Sequence, residues 1–80
     1  MARAVVLINT DVGTEEEVVN NLLQIPEVKE VHIVYGVYDV ITVIEAKDHN
    51  ELRRVVVTKL RKVPHIRSTT TMVVVETYTK

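Results

Sequence analysis

Along this chain the spacing of apolar positions alternates between strand-like and helix-like periods, and each switch marks an element. Ala4–Asn9 is a continuous apolar run, rich in β-branched residues and of strand length. In Thr14-Glu15-Glu16-Glu17 the first and last residues match a capping box, and three glutamates suit the positive end of a helix. Val18, Val19, Leu22, Leu23 and Ile25 follow at helical spacing until Pro26 stops the helix. Val28–Tyr35 alternates as a second strand, Tyr35-Gly36-Val37-Tyr38-Asp39 reads as a tight turn, and Val40–Ala46 is a third strand. Asp48-His49-Asn50-Glu51 repeats the capping pattern. Behind it Leu52, Val55, Val56, Leu60 and Val63 form one stripe of a second helix that ends before Pro64. Ile66–Tyr78, rich in threonine and valine, predicts a long final strand.

The order β-α-β-β-α-β specifies an α+β, ferredoxin-like fold: one antiparallel four-stranded sheet with two helices on one face. Eighty residues make a single domain, 1–80. A chain this short buries only about 60–65% of the surface its unfolded form exposes, so its stability alone is marginal. Two helices cover one face of such a sheet, and a face left to water demands strict alternation. Val5-Val6-Leu7-Ile8, Val40-Ile41, Val43-Ile44 and Met72-Val73-Val74-Val75 are instead apolar on both faces. Another subunit is the simplest cover, so a homo-oligomer joined sheet to sheet is expected. Left bare, such a face is an aggregation hazard.

Charge and composition narrow the function. The net charge of −1 gives no strong overall attraction to nucleic acid. Residues 1–48 nevertheless hold nine acids and three bases, and residues 49–80 two acids and seven bases. Most of the bases fall on the solvent face of the second helix. Antiparallel helices would place Arg61 and Lys62 near the Glu15–Glu17 turn, which accounts for the asymmetry without a nucleic-acid partner. With no recognition helix and no aromatic stacking platform, direct nucleic-acid binding is not expected. There are no cysteines, and His32, His49 and His65 lack ligand spacing, so neither a metal nor a catalytic centre is expected. Gly13 stands without a glycine-rich phosphate loop. The chain passes from Met1-Ala2-Arg3 straight into the first strand, with no signal peptide and no apolar run long enough for a membrane. A soluble cytoplasmic protein is expected.

The candidate chemistry sits in the turn. Gly36 tolerates the positive φ of a tight hairpin, and the turn presents Tyr35, Tyr38 and Asp39 together. Thr69 and Thr71, two residues apart, share one face of the last strand. In this topology the second and fourth strands are opposite edges, so a pocket using both Asp39 and the threonines would have to form between subunits. Two readings fit these residues equally. They line a small-molecule site, or the tyrosines pack, Asp39 caps the hairpin, and the threonines are strand formers.

Several of these segments together resemble the effector-binding domain of the Lrp/AsnC family, also called the RAM domain. They are Ile25-Pro26-Glu27-Val28, Val31-His32, the Gly-x-Tyr-Asp hairpin at Gly36–Asp39, Leu52, and Thr69-Thr70-Thr71-Met72-Val73-Val74. Family regulators carry an N-terminal helix-turn-helix and linker, and here Met1 directly precedes the first strand, so a stand-alone module without DNA binding is expected. The resemblance implies a dimer of facing sheets (a dimeric α+β barrel), assembled further into an octamer or similar ring. It implies an amino-acid effector held between dimers; the reading that follows is a sensor without catalysis or cofactor that acts by co-assembling with a full-length transcription regulator. Carried over, Gly36 and Val37 offer backbone groups, Tyr38 forms a wall, Asp39 holds a ligand amino group or orders the loop, and Thr69 and Thr71 bond polar ligand atoms. Other readings are a small dimeric α+β barrel enzyme of isomerase or monooxygenase type, and a ligand-free assembly module. Apolar strands offer an enzyme few polar groups.

Overall fold

Strand β1 (Ala2–Thr10) runs through the middle of the sheet in the computed structural model, which describes all residues from Met1 to Lys80. It pairs antiparallel with β3 (Val40–Ala46) on one side and β4 (Ile66–Val73) on the other, and β2 (Val28–Ile33) adds to β3. The strand order is β2-β3-β1-β4, with β2 and β4 as edges. Helices α1 (Glu15–Leu22) and α2 (His49–Thr58) lie on one face, as a ferredoxin-like fold requires. The lengthwise pattern expected from the sequence is therefore present.

Alternation in β1 separates the two faces. Ala2, Ala4, Val6 and Ile8 are buried in the main core, whereas Arg3, Val5, Leu7 and Asn9 between them are half-buried. In β3, Val40, Ile44 and Ala46 join that core. Val18 and Leu22 of α1 and Leu52, Val55 and Val56 of α2 close over it, followed by Leu60 and Val63. On the opposite face the register sets Val5 beside Val43 and Met72, and Leu7 beside Ile41. That face is a continuous apolar strip with no element of this chain over it.

Local differences from the expected pattern have physical causes. The Thr14 side chain does not cap α1: its hydroxyl donates to the Asp11 carbonyl (2.6 Å) and tightens the preceding turn. Glu17 does not reach back, because its carboxylate pairs with His65 Nε2 (2.8 Å). The second cap forms as expected, with the Glu51 amide donating to Asp48 Oδ1 (2.8 Å). Helix α2 ends at Thr58 and gives way to a 3₁₀ turn, Leu60–Lys62. Strand β4 stops at Val73 rather than Tyr78. Its partner β1 begins at Ala2, so beyond the bond from the Val74 amide to the Arg3 carbonyl (2.8 Å) no neighbour remains to pair. Strand β2 carries a register shift between Val28 and Glu30, which keeps both Val28 and Val31 packed on the core.

Candidate functional site

The Tyr35–Asp39 hairpin is held by its last residue. The Val34 amide donates to the Asp39 carbonyl, closing the turn, and the Asp39 amide donates to the Ile8 carbonyl, joining it to β1 (both 3.0 Å). The Thr10 amide then donates to Asp39 Oδ2 at 2.9 Å. The carboxylate thus orders the end of β1 while its second oxygen makes no hydrogen bond within the chain. Gly36 has φ +143°, and a Cβ there would meet nothing within 4 Å, so backbone conformation rather than space calls for glycine. Val37 and Tyr35 project into solvent, and Tyr38 is half-buried.

Asp39 lies between two small cavities. One, of about 360 Å³, is wholly polar and is lined by Asn9, Thr10, Asp39, Arg67 and Ser68. The other, of about 240 Å³, includes Thr10, Gly13, Val34, Tyr35 and Asp39. Thr10 borders both. It is 4% exposed, and its hydroxyl is the single buried side-chain polar atom without a hydrogen-bond partner. Such a group costs free energy unless something completes it.

Thr69 and Thr71 stand elsewhere. They pair with Ile8 and Val6 and so lie on the helix side of β4. Neither lines a cavity with Asp39, as expected from the strand order. The same end of β4 nevertheless brings Arg67 and Ser68 to Asp39. Sequence reasoning missed these two and Thr10, because the bulge that shifts register between Asn9 and Thr10 has no signal in the residue pattern.

The expected pairing of Arg61 and Lys62 with Glu15–Glu17 does not occur. His65 occupies that position. It adopts φ +72° after Pro64, accepts a bond from the Asp11 amide at its carbonyl (2.9 Å), and sets its ring between Asp11 and Glu17. Lys59 pairs instead with Glu27 (3.1 Å), and that hydrogen bond holds the Glu27 carboxyl below its ordinary range. Arg54 likewise lowers Glu51 through a hydrogen bond. Arg53, Arg61 and His49 have no carboxylate within 4 Å; they line a groove of about 500 Å³ between α2 and β4 with Val57, Thr71 and Val73. No three His, Cys, Asp or Glu side chains are placed to hold a metal ion. No helix is long and apolar enough to cross a membrane.

Comparison with known proteins places this geometry. Residues 3–80 match the Lrp/AsnC ligand binding domain. An uncharacterized HTH-type transcriptional regulator of Pyrococcus furiosus is 38% identical over 60 residues, covering 75% of this chain and 40% of that protein. The chain thus spans about two-fifths of the length of the first curated relatives it matches. A hypothetical protein from Pyrococcus horikoshii, solved by crystallography, is 40% identical with a TM-score of 0.88; the match covers 98% of this chain and 94% of that one. A transcriptional regulator from Neisseria meningitidis, solved as an L-Met complex, shares the fold (TM-score 0.87) at 15% identity, over 99% of this chain and 53% of its own. The chain, from Arg3 to its last residue, belongs to the Lrp/AsnC ligand-binding domain family.

Proposed function

We propose that this protein is a non-enzymatic, oligomeric effector-binding module that takes a free amino acid at the Asp39 cavity. The observation that carries this reading is the Asp39 carboxylate, one oxygen of which is free, beside the Arg67 guanidinium in one polar cavity. Asp39 suits an ammonium group and Arg67 a carboxylate, so the pair complements both charges of an α-amino acid. The Neisseria relative solved with L-Met supports the ligand class. Gly36, Val37 and Tyr38 would close the site from the hairpin. Thr69 and Thr71, which line no cavity with Asp39 within one subunit, would enter from a neighbouring one.

The apolar strip of half-buried Val5, Leu7 and Ile41 with exposed Met72 supports a dimer packed sheet to sheet, with dimers assembling into a ring. Because curated relatives are HTH-type regulators, co-assembly with a full-length regulator through the same strip would carry the effector signal to transcription. Titration calorimetry across the proteinogenic amino acids tests the reading. Asp39→Asn is the informative variant, since it keeps an acceptor for the Thr10 amide but loses the charge. A charge-assisted hydrogen bond contributes about 1.5–3 kcal/mol, so affinity should fall roughly tenfold to a hundredfold. If no amino acid binds the wild type, or Asp39→Asn binds as tightly, the reading is wrong.

A further inference from the structure

Strand β4 falls out of step with β1 at one place, and His65 stands beside it. Asn9 faces Ser68, but the next residue, Thr10, faces Ile66, so Arg67 has no partner across the ladder. The skip decides where side chains go. Thr69 lies opposite Ile8 on the helix side, and unbroken alternation would give the next place on that side, opposite the buried Thr10, to Arg67. The bulge gives that place to Ile66, which packs against the core, and leaves Arg67 to the polar cavity beside Asp39. Arg67 makes no ion pair within the chain, so its charge is available to a ligand.

Pro64 and His65 form the turn that leads into this bulge. His65 has φ +72°, the positive value required at the second central position of a type II turn, and no other residue but glycine does so in this chain. A Cβ makes that conformation unfavourable. Three contacts hold it. The Asp11 amide donates to the His65 carbonyl at 2.9 Å, a rung just beyond the bulge. The ring stands between Asp11 Oδ2, 3.3 Å from Nδ1, and Glu17 Oε2, 2.8 Å from Nε2. Asp11 in turn follows Thr10, whose amide donates to Asp39 Oδ2. One residue thereby ties the turn before Arg67 to the loop after Thr10, and these two segments meet at the cavity.

We propose that His65 is a positioning residue for the Asp39 cavity: its left-handed turn fixes the offset between β1 and β4 that presents Arg67 to a ligand carboxylate. The inference rests on the amino-acid reading of that cavity and adds to it a residue outside the lining. Backbone conformation does the positioning, and the ring contacts offset its cost.

The full chain carrying His65→Gly, His65→Ala or His65→Val is compared with wild type by two readouts. All three variants lose the imidazole, and only glycine enters the left-handed region freely. Cross-strand proton NOEs report the register with no ligand present. Thr10–Ile66 contacts are expected in wild type and His65→Gly, Thr10–Arg67 contacts in His65→Val, and both sets in His65→Ala. Each proteinogenic amino acid is then titrated by calorimetry. His65→Gly should bind close to wild type and His65→Val roughly tenfold or more weakly, with His65→Ala between them. Added to Arg67→Gln, His65→Val should weaken binding no further, because it acts through Arg67. A role in stability alone would leave all folded variants with one affinity. The proposal is overturned if Thr10 stays opposite Ile66 in every variant, if His65→Gly and His65→Ala bind equally, or if the losses at positions 65 and 67 add in full. Should His65→Val not fold, the comparison of His65→Gly with His65→Ala decides. If no amino acid binds the wild type, the reading of the cavity fails, and the NOE register alone decides whether His65 sets the bulge.

Discussion

Leu7 and Ile8 are neighbours of almost equal size in the same strand, yet they belong to different problems. Ile8 is fully buried in the core made by this chain's own helices. Leu7 points to a face that nothing in the chain covers, beside Ile41 and Thr70. Burial on one side is settled within the molecule, and on the other the chain provides none. Composition cannot distinguish them, because both faces draw on the same valines, leucines and isoleucines. Only register does. The helix side should respond to substitution as a core, and the bare side as an interface.

The largest effect should come from the helix side. Ile44→Ala, at a fully buried position, should cost about 2–5 kcal/mol in chemical denaturation. That is a large share of the roughly 5–15 kcal/mol typical of a folded domain. An equal loss from the half-buried Ile41→Ala, independent of protein concentration, would erase the distinction between the faces. Leu7→Lys should act differently. It should weaken self-association by about 2–4 kcal/mol, roughly thirtyfold to a thousandfold in Kd by sedimentation, with helical circular dichroism retained.

Thr10 gives a smaller effect of opposite sign. Replacing its unpartnered hydroxyl by a methyl in Thr10→Val should raise stability by about 1 kcal/mol in thermal or urea unfolding, while weakening amino-acid binding. A loss of stability would mean that the hydroxyl already has a partner. The smallest effect belongs to Lys59, which ties the end of α2 to Glu27 just before β2. Both groups are partly solvated, so Lys59→Met should cost only about 0.2–1 kcal/mol at neutral pH. Because Glu27 titrates below its ordinary value, this contribution is present above about pH 4.3 and fades as the pH falls through the lowered value. Urea unfolding of wild type and variant should therefore converge in acid.

The residue pattern carried the element order, the edge strands and the Asp48 cap, since each rests on local spacing or on topology. It did not carry the end of β4. Ile66–Tyr78 has strand propensity throughout, and where pairing stops is decided by the start of β1 at Ala2, 71 residues before Val73. Thr14 and Glu17 satisfy a capping box in spacing, but His65, brought in by the Pro64 turn, takes the Glu17 carboxylate. The hairpin was visible through Gly36 and Asp39. Arg67, Ser68 and Thr10 were not, because a bulge sets their placement. Arg53 and Arg61 read as ordinary solvent-facing cations until the uncovered side of β4 gave them a groove.

The register shift in β2 bears on how copies of this chain can grow into larger bodies. An edge strand that is flat and apolar is a template on which further strands stack without limit, the route to fibres. Strand β2 is kinked between Val28 and Glu30 and carries Lys29, Glu30 and His32, the last two paired to each other at 3.0 Å. An incoming strand would meet a broken ladder and would have to bury exposed charge. One margin of this valine-rich sheet is thereby closed to endless extension.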